Sequence, residues 1–290
     1  MASEIERIMS WFYRQVFPQG ILEFDEALAE AVISTLSKSP IDTERYVHVN
    51  GKRHWNALMQ RLDDDKKLGR SPLLQIEDMM SRRFSWVPRN ISAIGSAREK
   101  QKAHRLSSRP LILQMIDDLT DREYEALGCV ISKMIGASHT LLTHRGNEGG
   151  VDFFALINIP AKCHVFGGYC RPLRVIGQAK KYQGKVQVDE IRELITTIQD
   201  IQYRNPTIEP LVPTWFRTAH GLLVGWLIAH NGVQSGGVNR ARNHGIIISD
   251  SIDLAEIAAL SRGINDTGLH YTRPSLVKQR VDSTLINSAS

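Results

Sequence analysis

Residues 174–185 read RVIGQAKKYQGK, an apolar segment that ends in polar and basic side chains. Its first residues predict a β-strand, in which alternate side chains point to the same face of a sheet. Gln178 and Lys180 therefore share one face, and Ala179 points to the other. An amide and an ammonium side by side at the end of an apolar strand indicate either a strand that emerges into solvent or a polar site.

Regular elements surround this strand in an order that predicts a mixed α/β domain. Thr120 and Glu123 have the spacing of a capping box, and an apolar stripe at helical spacing follows them. Strand-like runs then occur at 139–144 and 151–160. After residue 185 the chain alternates helix, strand, short helix, strand and helix. The order α-β-β-β-α-β-α-β-α is that of a sheet with helices on both faces.

A glycine-rich turn, GGVD at 149–152, leads into one of these strands. Asp152 stands at the start of an apolar run, where a carboxylate is costly to bury without a compensating partner. A divalent cation, a helix N-terminus or an arginine would each compensate it. If the two strands pair side by side, Gln178 and Lys180 converge on Asp152, and Glu125 is available from the preceding helix.

Together these motifs resemble the catalytic domain of Mrr-type restriction endonucleases, which belong to the PD-(D/E)xK nuclease superfamily. GGVD before one strand, GQAKKY at the end of the next, and the alternation that follows carry the resemblance over residues 118–262. The QxK sequence is that of the variant in which Gln replaces the second acid. The resemblance implies a restriction-endonuclease-like mixed sheet flanked by helices in residues 111–290, preceded by a mainly helical domain in residues 1–110.

The resemblance also implies hydrolysis of DNA phosphodiester bonds with Mg²⁺, for which Mn²⁺ would substitute. It gives catalytic roles to four residues: Asp152, Gln178, Lys180 and Glu125. It implies a metal-ligand set of three side chains and one backbone carbonyl: Asp152, Gln178, Glu125 and Ala179. Oxygen ligands of this kind are those that Mg²⁺ prefers. Lys180 would orient the attacking water or stabilise charge on the phosphate, whereas Lys181 is interpreted as a phosphate contact or a solvated group.

Basic residues are concentrated between residues 51 and 110, which contain 14 Lys and Arg against 6 Asp and Glu. This local excess is larger than the formal charge of the whole chain, +5. Trp55, Phe84 and Trp86 lie within the segment. Cations interleaved with aromatic residues are typical of a nucleic-acid surface, and also of a solvated helical face with core aromatics. We expect residues 1–110 to bind DNA or a protein partner.

The rest of the N-terminal third has helical patterns at 24–40 and 52–69. The polar segment 86–110 is bounded by prolines and is interpreted as a linker or arm, with a domain boundary near residue 110. A winged-helix DNA reader would fit the charge of this third and the habit, in the resembled family, of joining such domains to the nuclease.

Localisation and assembly are predicted by simpler arguments. Three cysteines are an odd and sparse set, which is typical of a reducing cytoplasm. The longest apolar stretch is far shorter than the roughly 20 residues that cross a bilayer, so we expect no membrane association. Because a double-strand cut needs two active sites, we expect a homodimer or a larger homo-oligomer. The family resemblance suggests defence against foreign or modified DNA, with a defence-system protein as a further partner.

Alternatives of other classes stay open. Cys163, His164 and Cys170 could form a zinc site, but they lack a fourth ligand. An HNH-type nuclease would need three residues whose spacing here is wrong: His230, Asn239 and His244. The segment 230–241 lacks both G-x-G-x-x-G and a P-loop Lys-Ser/Thr for nucleotide binding. A catalytically silent DNA-binding or assembly protein on a nuclease fold would need no intact site, and the presence of all four site residues argues against it.

Overall fold

The computed structural model describes residues 3–87, 95–144, 149–158, 172–262 and 272–289. Contacts between residues divide the chain into two compact units, and the division falls between Gln114 and Met115. Within the described ranges no helix is both long and apolar enough to cross a membrane. The separate roles assigned to residues 1–110 and 111–290 stay predictions.

The first unit combines helices with a small antiparallel sheet. Its helices are α1 (Glu4–Arg14), α2 (Phe24–Leu36), α3 (Pro40–Lys67) and α4 (Ala97–Leu106), and α5 (Arg109–Asp118) runs across the division. Its strands are β1 (Ile21–Glu23), β2 (Leu74–Asp78) and β3 (Arg83–Trp86), paired in the order β1-β3-β2. The chain order is α1-β1-α2-α3-β2-β3, with β3 in the centre of the sheet.

Two features of this unit correct the sequence analysis. The three strands were not predicted, because strands of three to five residues are too short to show a clear alternation. Segment 86–110, predicted as a linker, contains α4. This helix begins at a capping box between Ser96 and Glu99 and buries Ala103 and Leu106. Residues 88–94 of the same segment lie outside the described ranges.

The aromatic residues of the basic segment belong to the core of the first unit. Trp55, Phe84 and Trp86 are 4%, 0% and 1% exposed. The Trp55 ring packs edge-on against Phe24 with centroids 5.0 Å apart, and Phe84 lies 6.2 Å from Phe12. These rings are therefore not available to stack on bases, and the interpretation as core aromatics is correct.

The second unit is built on a five-stranded mixed sheet with helices on both faces. Its strands are β4 (Ala137–Leu142), β5 (Phe153–Ile157), β6 (Leu173–Lys180), β7 (Leu223–Ala229) and β8 (Ile247–Ser249). They pair in sequence order, antiparallel from β4 to β6 and parallel from β6 to β8. The helices are α6 (Asp121–Met134), α7 (Val188–Gln202), α8 (Thr214–Thr218), α9 (Ser235–Asn243), α10 (Ser251–Leu260) and α11 (Thr272–Ala289). The predicted mixed α/β fold is confirmed.

Neighbouring aromatic residues of β5 fill the two faces of this sheet. Phe154 joins Ile176, Leu227 and the apolar side of α7 in one buried cluster. Phe153 points to the other face, where its ring occupies the space that a side chain at Gly177 or at Gly128 of α6 would need. This close approach of α6 to β6 explains why glycine stands at both positions.

Among the helices around the sheet, α6 follows from a local sequence signal, whereas two others do not. α6 begins at the predicted capping box, in which the Thr120 side chain accepts from the Glu123 N–H. The connection after α7 contains α8, whose Phe216 ring lies 4.9 Å from that of Phe154. Neither α8 nor α11 was predicted from the sequence.

Candidate active site

The antiparallel pairing of β5 with β6 brings the start of one strand to the end of the other. Phe153, the first residue of β5, pairs with Gly177, and Asp152 lies directly before this strand. The Asp152 N–H donates to the Gly177 carbonyl at 2.9 Å, and its carboxylate Oδ2 accepts from the Ala179 N–H at 2.7 Å. Because side chains alternate along a strand, Gln178 and Lys180 of β6 share one face of the sheet. The Asp152 carboxylate lies at the same strand end and interacts electrostatically with Lys180.

The amide of Gln178 is buried in an unusual way. Its side chain belongs to a residue only 4% exposed, and its Oε1 accepts no hydrogen bond from any residue that the structure describes. A buried polar atom without a partner costs about 1–3 kcal/mol. Gly150, which has a positive φ of 65°, lies nearby, and a Cβ there would be 3.8 Å from the Gln178 Nε2. The Oε1 is therefore suited to a donor or a cation.

The ammonium of Lys180 is held by two residues that the sequence analysis did not identify. Its Nζ lies 2.8 Å from Oε2 of Glu190, in the first turn of α7, and 5.9 Å from the centre of the Tyr182 ring. The Tyr182 hydroxyl donates to Oε1 of the same glutamate at 3.0 Å. An acidic residue in the first turn of a helix is usual for electrostatic reasons, so Glu190 gave no separate signal.

Glu125 is connected to Asp152 through Arg122 and Thr143. Its Oε2 lies 2.6 Å from Nη1 of Arg122, whose other terminal nitrogen donates to the Thr143 carbonyl. The Thr143 hydroxyl donates to the backbone carbonyl of Asp152 at 2.9 Å. Glu125 makes no direct hydrogen bond to the Asp152 carboxylate in the described part of the chain, and the two acids interact electrostatically.

The protonation of Asp152 reflects these surroundings. Burial raises the pKa of its carboxyl group to about 7, and the negative charge of Glu125 acts in the same direction. The Ala179 N–H and the positive charges of Lys180 and Arg122 oppose this shift. Burial also disfavours the charged form of Lys180, but Glu190 outweighs it and raises the pKa of the lysine. A strongly shifted carboxyl group beside a cation is typical of functional sites.

Lys181 does not have the role that the sequence analysis gave it. Its Nζ donates to the backbone carbonyls of Asp117, at 2.6 Å, and of Leu119. The lysine thus satisfies carbonyl groups at the end of α5, which is a structural task. It is neither a free phosphate contact nor a solvated group.

The end of β6 is also fixed from β7. The His230 N–H donates to the Lys180 carbonyl at 2.9 Å, and the Asn231 amide donates to the Tyr182 carbonyl at 2.8 Å. The His230 ring faces Asp117, with Nε2 3.0 Å from Oδ1. These contacts give His230 a structural role, and no group of three His, Cys, Asp or Glu in the described ranges, including one with His244, forms a metal-ligand cluster.

The predicted metal ligands nevertheless fit a hard cation. The set contains only two carboxylates, from Asp152 and Glu125, and its other two donors are neutral oxygens of Gln178 and Ala179. The unpartnered Oε1 of Gln178 and the buried carboxylate of Asp152, whose pKa is raised, are groups that a divalent cation would stabilise. Cys163, His164 and Cys170 of the zinc alternative lie outside the described residues, and Cys129 is a buried free thiol.

Comparisons with known proteins bear on the second unit. Residues 116–208 match the Mrr catalytic-domain family model, which is described as Restriction endonuclease. No curated protein matches the chain. Among solved structures, the MspJI restriction endonuclease in complex with a 27-mer oligonucleotide is 16% identical, with a TM-score of 0.38, over 66% of this chain and 39% of that chain.

A second solved structure is the DNA modification-dependent restriction endonuclease AspBHI. It is 14% identical, with a TM-score of 0.37, over 67% of this chain and 43% of that chain. This chain thus spans less than half the length of either structure. The matched segment 116–208 contains Asp152, Gln178, Lys180 and Glu190, and the match confirms the resemblance drawn from the sequence: residues 116–208 are similar to the catalytic domain of Mrr-type restriction endonucleases.

Proposed function

We propose that the protein is a Mg²⁺-dependent endonuclease that hydrolyses DNA phosphodiester bonds. One observation carries the proposal. The carboxylate of Asp152, directly before β5, accepts from the Ala179 N–H and so meets the end of β6 that carries Gln178 and Lys180. This convergence falls inside the segment that matches the restriction endonuclease family.

Asp152, Gln178, the Ala179 carbonyl and Glu125 would hold the cation. When bound, Mg²⁺ supplies Lewis-acid stabilisation of the charge that develops on the phosphate. Gln178 contributes an oxygen without charge, so the site has less negative charge than one with three acids, and phosphates of bound DNA would add to cation affinity. Glu125, which Arg122 holds at 2.6 Å, would act on the cation through water.

Lys180 would orient the attacking water or donate to a phosphate oxygen. Its ammonium is already placed and charged before DNA arrives, because Glu190 lies 2.8 Å from it. A donor that needs no rearrangement at the moment of reaction is worth roughly 10²- to 10³-fold in rate. Lys181 has no part in this step, since its ammonium is bound to backbone carbonyls.

The main alternative is a silent DNA-binding protein on the same fold. Supercoiled plasmid incubated with the protein and Mg²⁺ separates the two, because a pure binder shifts the plasmid in a gel without nicking it. We expect nicked and linear products with Mg²⁺, none with a chelator, and none from Asp152→Ala. A gel shift without nicking by the unaltered protein would support the alternative.

For the first unit we propose DNA binding. One support is its order of helices and strands, which fits the predicted winged helix. Helix α4 is the other: Arg98, Lys100 and Lys102 are exposed and make no ion pair or side-chain hydrogen bond with any residue the structure describes. Exposed cations of this kind can neutralise phosphates and release counterions. The buried aromatic residues of this unit take no part.

The biological role follows from the same proposal. We propose a part in restriction of foreign or modified DNA, in a reducing cytoplasm, as the sparse cysteines suggest. Double-strand cleavage would require a homodimer or larger assembly, and a defence-system protein is a further candidate partner. A monomeric mass at micromolar concentration with and without DNA would contradict the assembly.

A further inference from the structure

Glu190 is an unexplained acid in the candidate site. It lies in the first turn of α7, ten residues after Lys180, and its side chain is 23% exposed while that of Lys180 is 21% exposed. Ion pairs on an open surface contribute little to stability. This pair instead lies beside Gln178 and Asp152, where the position of one nitrogen atom would matter for chemistry.

The contacts around Lys180 restrict its side chain from two directions. Lysine has a flexible four-carbon stem and an ammonium that can adopt many positions. Glu190 fixes the ammonium at 2.8 Å, and the glutamate is itself fixed by the Tyr182 hydroxyl at 3.0 Å. The Tyr182 ring also lies 5.9 Å from the ammonium, within the range of a cation–π contact.

The backbone on either side of Tyr182 is held as well. The Lys180 carbonyl accepts from the His230 N–H at 2.9 Å, and the Tyr182 and Gln183 carbonyls accept from the Asn231 amide at 2.8 and 3.3 Å. The segment 180–183, which carries Tyr182, is therefore attached to the residues that follow β7. Such support is what a precisely placed donor requires.

We propose that Glu190, held by Tyr182, is a positioning residue for the Lys180 ammonium in phosphodiester cleavage. The inference rests on the proposed nuclease function and adds to it a carboxylate that is neither a predicted metal ligand nor a residue of the QxK motif, but that pairs with the motif lysine. Glu190 sets the position of the Lys180 Nζ before the phosphate binds. Lys180 can then donate a hydrogen bond to the phosphate without changing its rotamer. Tyr182 limits the glutamate in the same way.

The test measures single-turnover cleavage and DNA affinity for Glu190→Gln, with Glu193→Gln as the matched control. Glu193 lies in the same helix and is exposed, so its substitution makes the same change in charge. We expect Glu190→Gln to lower the cleavage rate about 10- to 100-fold with DNA affinity unchanged or tighter, because misplacing a catalytic group by about 1 Å costs up to 10²-fold. Glu193→Gln should cleave normally.

Two further variants separate positioning from folding. Glu190→Asp keeps the charge on a shorter side chain and should recover part of the rate, and Tyr182→Phe should lose less than Glu190→Gln. The ¹⁵N-labelled ammonium signal of Lys180, assigned by its loss in Lys180→Arg, should be visible in the unaltered protein and in Glu193→Gln, and broadened in Glu190→Gln. This readout does not depend on activity.

The outcomes distinguish this inference from the function on which it rests. If Lys180→Ala abolishes cleavage but Glu190→Gln cleaves like Glu193→Gln, the positioning role is wrong and the nuclease assignment stands. If Lys180→Ala cleaves normally, the proposed site itself is wrong. Equal rate losses in Glu190→Gln and Glu193→Gln would also overturn the positioning role, since they would show an effect of charge alone.

Discussion

The end of β6 and helix α4 both carry polar and charged side chains, but they hold them in opposite ways. At the end of β6 the charges are half-buried and paired, as in Lys180 with Glu190. On α4 the cations Arg98, Lys100 and Lys102 are exposed and unpaired within the described ranges. Fixed groups in a partly dry site suit chemistry on one atom. Solvated cations suit a polyanion of any sequence.

The contrast between the end of β6 and helix α4 is tested most strongly by the cleavage rate of a Gln178 variant. Gln178→Ala removes the buried oxygen without a partner, and we expect the single-turnover cleavage rate in Mg²⁺ to fall roughly 10²-fold. Gln183→Ala, which alters an exposed amide five residues on, should cleave normally. Equal rates in the two variants would mean that the buried amide has no part in the reaction.

A packing test addresses why this strand end is rigid. In Gly177→Ala the new methyl group would overlap the Phe153 ring, so we expect the free energy of unfolding to fall by about 1–3 kcal/mol. The control is Gly184→Ala, where the added methyl group meets no atom within 4 Å. Chemical denaturation of both variants measures the difference. A Gly177→Ala protein as stable as the control would mean that the Phe153 ring does not lie so close to Gly177.

A pH test addresses the buried carboxylate. Burial raises the pKa of Asp152 from its ordinary 3.8 to about 7, so the folded state binds more protons than the unfolded state between those values. Its contribution therefore lowers stability as the pH rises through this window. With a chelator present, Asp152→Asn should be more stable than the unaltered protein by roughly 1–3 kcal/mol at pH 8, and nearly equal to it at pH 4. The same difference at both pH values would contradict the buried, shifted carboxyl group.

The smallest expected effect concerns α4. Replacing its three unpaired cations by Gln should reduce the slope of log K for DNA binding against log salt concentration by about 2, because Arg98 and Lys102 share one side of the helix and each phosphate contact contributes roughly 0.9. Cleavage chemistry should be unchanged once the DNA is saturated.

The matched control for that variant removes the same charge from scattered exposed positions: Arg7, Lys66 and Lys133. Its slope should change by less than about 1, because residues away from the phosphates release no counterions. If the slope of log K against log salt concentration falls by the same amount in both triple variants, α4 acts only through the net charge of the protein.

The sequence was informative where local patterns coincide with the fold. The capping box at Thr120 and the alternation around Gln178 correctly predicted α6 and β6, and the mixed α/β order followed from them. The convergence of Asp152 with Gln178 was predicted on the condition that the two strands pair, and they do. Its catalytic role stays a proposal.

The sequence was uninformative where long-range contacts decide. Nothing local distinguishes Glu190 from Asp189 or Glu193, and only the packing of α7 selects the one that meets Lys180. Lys181 was misinterpreted for the same reason, because its partners are backbone carbonyls more than sixty residues away. The short strands of the first unit depend on pairing with β3, which no periodic pattern announces.

The most direct test of the central claim is the rate of plasmid cleavage in Mg²⁺ by Lys180→Ala and Asp152→Ala, measured together with DNA affinity. If a hydrolytic centre lies where β5 begins and β6 ends, both variants lose detectable cleavage while their DNA affinity stays nearly unchanged. Cleavage at the rate of the unaltered protein in both variants would place the chemistry elsewhere or remove it from this protein.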